Sequence, residues 1–485
     1  MKPKTGPVRA CGLIAALCAN LLAACVTQVP YERPPAPVAA TFPNGVAASG
    51  SKTAVQIDWQ DYFNDARLKT LIDAALRNNR DLRLAALNIE QARAQAQIRR
   101  ADLYPSVGIG LSGTRTPTGP GNASTLYSAG FSLTGWEADF FGRLASLKDS
   151  ALAQYLASEN SRQAAHISLV GAVVNAYLNL LTDEELLSLT RQTLLTREDS
   201  YRLTRLRFDN GASSEIDLRQ AESLSEGARA TLAQLQRQRA LDENALVLLL
   251  GQPLPTGFDL PAAGSGSSAG AGVGALAQPL QPAPVMAELP AGLPSDLLAN
   301  RPDIRAAEQQ LLAAHANMGA ARAAFFPRIS LTGSLGLASS ELSGLLQSGA
   351  FAFSAAAQAL LPIFDAGRNQ AGLEAAQASR DSAIAQYEKA IQVAFREVAD
   401  ALAGRATYGE QLRAQQAQAD AEAVRLRLAD LRYRNGVASY LDLLDAQRSL
   451  FAARQAVLLT RLAQLQNQVV LYKVLGGGWS QPARN

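Results

Sequence analysis

The sequence predicts a mixed, mainly α fold made from one unit used twice, each copy holding a β-hairpin and a pair of long helices. Three observations carry this expectation. "DLRLAALNIEQARAQAQIRRADLYP" (Asp81 to Pro105) matches "DIRAAEQQLLAAHANMGAARAAFFP" (Asp303 to Pro327) at a constant offset, 303 − 81 = 222 and 327 − 105 = 222. Further along, Gly142-Arg143 answers Gly367-Arg368, Asn210-Gly211 answers Asn435-Gly436, and Leu250-Gly251 answers Leu475-Gly476, each 225 apart. Within each copy the hydrophobic period switches from helical to two and back again.

Lys2, Lys4 and Arg9 precede an apolar run from Ala10 to Ala24, the layout of a secretory signal peptide over residues 1–24. The run ends in Leu22-Ala23-Ala24-Cys25, which resembles the lipobox of bacterial lipoproteins and implies a covalent lipid on Cys25. The alternative is a buried thiol beside an ordinary cleavage site. In such lipoproteins an Asp after the Cys marks inner-membrane retention, so Val26 points to the outer membrane. Cys11 and Cys18 fall inside the signal, which leaves Cys25 alone and no disulfide to stabilise an exported chain.

After an N-terminal segment (25–80), the first repeat spans 81–251. Asp81 to Tyr104 is rich in strong helix formers and Pro105 stops it. Val107, Ile109 and Leu111 then alternate with small and polar residues; a turn-rich loop, Thr116 to Ser124, leads to a second alternating run with Tyr127, Ala129, Phe131 and Leu133 on one side. From Arg143 to Phe208 no Pro appears, so one helix of about 65 residues and roughly 100 Å is expected. A second helix is expected from about Ser214 to Leu250. The second repeat (303–475) gives the same plan: strands around Ile329 to Leu335 and Phe351 to Ala355, then helices at 368–433 and 439–475. A linker (252–302) carries a Gly/Ser/Ala-rich insert, 262–284, and residues 476–485 form a tail.

The near-identical stretches "LRFDNGASSEIDLRQ" and "LRYRNGVASYLDLLDAQ" join the two long helices of each repeat. Asn210-Gly211 and Asn435-Gly436 supply left-handed C-caps, Ser214 and Ser439 N-cap the next helices, and Asp217 and Asp442 complete capping boxes.

Two hairpins give four strands, and four strands cannot close a membrane barrel, whose smallest members have eight. Open edges are not tolerated in lipid. Three chains would supply twelve strands; the alternative is a soluble hairpin decorating a coiled coil.

The runs "PYERPPAP", "WQDYFNDARLKTLIDAALRNNRDL", "WEADFFGR", "LPSDLLANRPDIRAAE", "LPIFDAGR" and "YRNGVASYLDLLDAQRSLF" resemble those of TolC-type outer-membrane factors, in the OprM/NodT lipoprotein branch. The resemblance covers nearly the whole mature chain. It implies a homotrimer: a 12-stranded outer-membrane β-barrel continuous with a long periplasmic α-helical barrel, and an equatorial region built from 25–80, 252–302 and the C-terminal segment. The 262–284 insert departs from the family pattern. The resemblance also implies a passive duct in a tripartite efflux system, with a periplasmic adaptor and an inner-membrane pump of the RND type as partners. Drugs, other small solutes or metal ions are the implied cargo. A type I protein-secretion duct and a non-conducting coiled-coil lipoprotein are the alternatives.

Residues follow from the same reading. The tips Asn210, Gly211, Ala212, Ser213 and Ser214, with Asn435, Gly436, Val437, Ala438 and Ser439, are expected to meet the adaptor. Asp445 has no acidic counterpart in the first repeat, because 445 − 225 = 220 and residue 220 is Gln. In similar proteins acids here, with an apolar neighbour, line a periplasmic constriction. Leu441, Asp442 and Asp445 are thus expected in a gate, with Tyr433 or Arg448 tying the acids down and a cation-selective resting state.

No enzyme is expected. His166 and His315 lie on different helices, no His-Glu-x-x-His, Cys pair or phosphate-binding glycine loop appears, and no metal or other cofactor is implied beyond the lipid. The 45 Lys+Arg nearly balance 42 Asp+Glu, and no basic block interleaved with aromatics suggests nucleic acid.

Overall fold

The computed structural model describes residues 30–42, 54, 57–119, 122–255, 258, 298 and 300–478. The signal peptide, Cys25, the 262–284 insert and residues 479–485 lie outside the described residues. In chain order the elements are α1 (Trp59–Tyr62), α2 (Ala66–Asn78), α3 (Arg80–Ala101), β1 (Val107–Gly119), β2 (Asn122–Ala138), α4 (Arg143–Asp209) and α5 (Glu215–Leu250). The second half follows with α6 (Pro302–Ala323), β3 (Arg328–Ser339), a 3-10 turn (Leu342–Leu346), β4 (Phe351–Leu360), α7 (Arg368–Arg434) and α8 (Tyr440–Val474).

Two compact units result, and each draws segments from both halves of the sequence. The first comprises Met1–Ala36, Leu87–Asn160 and Arg305–Ala390; the second comprises Pro37–Ala86, Ser161–Ile304 and Ile391–Asn485.

The first unit holds an antiparallel sheet in the order β1-β2-β3-β4. Its register settles the two faces. Val107 pairs with Leu133, Ile109 with Phe131, Phe131 with Leu335 and Leu335 with Phe353, so large apolar side chains share one face. The other face carries Gly110, Ser112, Ser128, Gly130, Ser334, Gly336 and Ser354, with hydroxyl pairs Ser112–Ser128 and Ser334–Ser354 at 2.8 Å. Gly130 and Gly336 face each other across β2 and β3. A Cβ on Gly336 would sit 2.2 Å from the Ala129 carbonyl oxygen, so this approach requires glycine.

Sequence reading placed a loop over Thr116 to Ser124, but β1 continues to Gly119 and β2 begins at Asn122. Pro117 is tolerated opposite Ala123 because it stands at a register shift of the ladder, between Pro117 and Gly119, next to the turn. The helix expected to reach Tyr104 ends at Ala101. Leu103 and Tyr104 tighten into i,i+3 turns (Tyr104 N–H to the Ala101 carbonyl, 2.9 Å), since the residue before a proline disfavours helix.

The second unit buries an apolar core from four helices. α2 contributes Leu68, Leu71 and Ile72; α4 contributes Val173, Val174, Tyr177 and Leu180; α7 contributes Val398; α8 contributes Val469 and Tyr472. Tyr62 stacks on Tyr472 with centroids 4.0 Å apart, and the Tyr472 hydroxyl donates to the Ile57 carbonyl at 2.6 Å. α4 is apolar and long enough over one stretch to cross a membrane, yet half of that stretch is buried in this core. Arg301, itself buried, is satisfied by Asp303 (2.6 Å), Glu397 (2.8 Å) and the Val474 carbonyl (3.2 Å).

Candidate functional site in the helical tips and the apolar sheet

Each helical pair turns through the same motif. Gly211 and Gly436 both adopt φ of 71°, the left-handed conformation that lets a helix stop without a Cβ clash. The Gly211 and Ala212 N–H groups donate to the Phe208 and Arg207 carbonyls (2.9 and 2.7 Å). Gly436 and Val437 repeat this with Tyr433 and Arg432 (3.0 and 2.9 Å). Asn210 and Asn435 each donate from the side-chain amide to the carbonyl four residues back, at 2.7 Å. Ser214 with Asp217 and Ser439 with Asp442 form complete capping boxes. Ser213 adds a bond to Asp217 at 3.3 Å. Ala212 and Ala438 complete the turns, and Val437 is exposed at the second.

Below these turns the expected gate residues divide. Asp442 is occupied in capping α8. Asp445 was expected to lean on Arg448 or Tyr433, but Arg425 of α7 holds it, while also donating to Glu422 at 3.1 Å. Tyr433 instead accepts from Arg207 of α4 at 2.8 Å, with the guanidinium 5.1 Å above its ring. Tyr433 also packs against Tyr440, whose hydroxyl is hydrogen-bonded to that of Ser200 of α4 at 3.1 Å. Behind them Ala221, Leu443 and Leu444 are buried, so aromatic and polar contacts tie the two tips together. Leu441 stays exposed. Arg448 lines an open groove of about 450 Å³ with Glu215, Ile216, Arg219, Gln220 and Ser223. The Arg197 guanidinium sits over Phe451 at 5.3 Å; its burial, and then the charge of Arg448, lower its proton affinity.

Sequence reasoning missed Arg425, Arg207, Ser200 and Tyr440. One signal was available for the first. Arg425 and Asp445 stand equally far from the tip residue Asn435, 435 − 425 = 10 and 445 − 435 = 10, as partners in an antiparallel helix pair must. His166 and His315 sit in different units; burial lowers the His166 pKa, and His315 meets the Tyr31 ring edge-on at 5.9 Å.

The sheet is the second feature. Ile109, Leu111, Phe351 and Phe353 are exposed on its apolar face, and among the described residues the outward edges of β1 and β4 have no strand beside them. At the end where β1 and β3 begin and β2 and β4 finish, Tyr104, Phe140, Phe325, Ile363 and Phe364 are exposed; Ile363 and Phe364 are 93% and 90% accessible. An apolar band bordered by aromatics is what a bilayer and its interface select.

The family model described as "Outer membrane efflux protein" matches residues 71–252 and 293–477. The chain belongs to that family. Among curated relatives, the solvent efflux pump outer membrane protein SrpC of Pseudomonas putida is 45% identical over 472 residues, covering 95% of this chain and 97% of the relative. OprJ of Pseudomonas aeruginosa is 44% identical over 478 residues, covering 97% and 96%. Among solved structures, the open state of the Neisseria gonorrhoeae MtrE outer membrane channel superposes with a TM-score of 0.82 at 42% identity, covering 94% of this chain and 98% of that one. The fold is therefore that of the TolC-like outer-membrane channels, and this efflux protein resides in the outer membrane, extending into the periplasm. An apolar face suits lipid, and a serine- and glycine-rich face suits a water-filled lumen.

Proposed function

We propose that three copies of this chain form a passive duct that carries small organic solutes, drugs among them, out through the outer membrane. One observation supports it above the rest. The four-stranded sheet exposes a largely apolar face and leaves the edges of β1 and β4 unpaired among the described residues, an arrangement that costs several kcal/mol per unsatisfied group in hydrocarbon. β1 runs antiparallel to β4, so β4 of one copy joins β1 of the next without reversing any strand, and three sheets close twelve strands. Relatives named for solvent, toluene and antibiotic efflux support amphiphilic cargo.

The helical tips are the docking points for a periplasmic adaptor, which links the duct to an inner-membrane pump of the RND type. Cys25 carries a lipid that adds a second membrane attachment. The protein is not an enzyme; the pump supplies the energy. Leu441 and the Asp445–Arg425 pair narrow the lumen near the tips, where the exposed carboxylate attracts cations and the neighbouring guanidinium limits its repulsion from symmetry mates. Planar-bilayer recording tests the duct: purified protein should give discrete conductance steps, and a protein that inserts into the bilayer yet never conducts, even with Leu441→Ala, contradicts it.

A further inference from the structure

Asp183 of α4 is 6% exposed, and one of its carboxylate oxygens is buried with no hydrogen-bond partner. The group that meets it from α5 is another acid, Asp242. The nearby cation is already engaged: Arg239 of α5 donates from Nε to Glu184 and from Nη1 to Glu243 at 2.6 Å. That arginine fixes α4 against α5 at this level, so the two acids cannot simply turn away. Gln238 donates to Asp242 at 3.1 Å, and Arg461 of α8 lies 3.8 Å from Glu185, two residues along. The groups around Asp183 are thus Asp242, Arg239 and Glu243 from α5, Glu184 and Glu185 on its own helix, and Arg461 from α8.

Two carboxylates in contact away from water do not both stay ionised, and the economical solution is one proton between them. Burial, followed by the adjacent Asp242, holds the Asp183 carboxyl well above the usual carboxylate range. The duplication supplies an internal comparison. The equivalent positions, 183 + 225 = 408 and 242 + 225 = 467, are Tyr408 and Asn467, so the acid pair belongs to the first helical pair alone.

We propose that Asp183 and Asp242 share a single proton and form a pH-sensitive clasp between α4 and α5. With the proton present, the Asp183 O–H donates to the Asp242 carboxylate and the helices are held together. When the proton passes to water, the buried Asp183 carboxylate opposes the half-buried Asp242 carboxylate and the contact loosens. A buried acid whose folded-state pKa is raised stabilises the fold fully at low pH. That contribution is lost as pH rises through the folded-state value.

The test is the melting temperature of the intact, full-length protein in detergent from about pH 5 to about pH 9, together with infrared difference spectra of the protonated carboxyl stretch. Wild type should lose melting temperature as pH rises. Asp183→Asn, whose amide donates to Asp242 at any pH, should flatten that fall and remove one carboxyl band; Asp242→Asn should flatten it too, and serves if the first variant does not fold. Glu185→Gln separates the neighbouring acid, which burial pushes up to about 7. It should leave the Asp183 band in place. A full wild-type slope with an unchanged carboxyl band in both asparagine variants overturns the proposal, as does a Glu185→Gln variant that alone abolishes the slope and the band.

Discussion

Asp445 and Asp217 are both acids near the start of a helix, and their neighbours give them opposite roles. Asp217 receives the Ser214 hydroxyl at 2.8 Å and returns the capping box, so its work is local. Removing it should cost about 1 kcal/mol of helix stability and leave conductance unchanged. Asp445 instead reaches across to Arg425, and its first-repeat counterparts are Gln220 and Ser200, since 425 − 225 = 200. An ion pair present in one repeat and absent from the other answers to something other than folding of the repeat. Both partners are well exposed, so the pair is screened and contributes little to stability. Its effect should appear in conduction. Asp445→Ala combined with Leu441→Ala should raise single-channel conductance and weaken cation preference in planar bilayers. Arg425→Ala alone should strengthen that preference, because it uncovers the carboxylate. Wild-type conductance and selectivity in the double variant would remove these residues from the gate.

At the level of elements, the helical pairs were legible because their punctuation is local. Pro, the Asn-Gly steps and the Ser-x-x-Asp boxes act on the backbone within a few residues, so α4, α5, α7 and α8 begin and end within one residue of expectation. Contacts between helices were harder to read, because they depend on how each helix is rotated about its axis. Arg207 with Tyr433 and Asp183 against Asp242 belong to that class, whereas Arg425 with Asp445 had only its equal distance from Asn435 to mark it. The strand faces were readable from alternation, whereas the length of β1 was not, since Pro117 reads as a loop until the register shift beside it is known. The tip turns are small-residue surfaces held by backbone bonds, so their outer side chains are free to meet a partner. Replacing Ala212 or Val437 with a bulky residue should reduce efflux and adaptor crosslinking without lowering the amount of assembled protein. Unchanged efflux and crosslinking in both variants would move the docking site elsewhere.

For the whole molecule, assembly follows from the sheet that one chain leaves unfinished. Attachment through a lipid is secondary to the strands in this account. Cys25→Ser should abolish acylation, read by metabolic fatty-acid labelling, while the barrel still inserts; an unlabelled wild-type protein would contradict the lipobox reading. On the proposed reading, association is obligatory in a way that lipidation is not, because edge strands with open ladder bonds and an apolar face have no stable state as a monomer in a bilayer. The most direct measurement is native mass spectrometry of the full-length protein released from detergent micelles. A single species of three protomers is predicted, and a stable monomer as the main species would contradict the closed twelve-stranded duct.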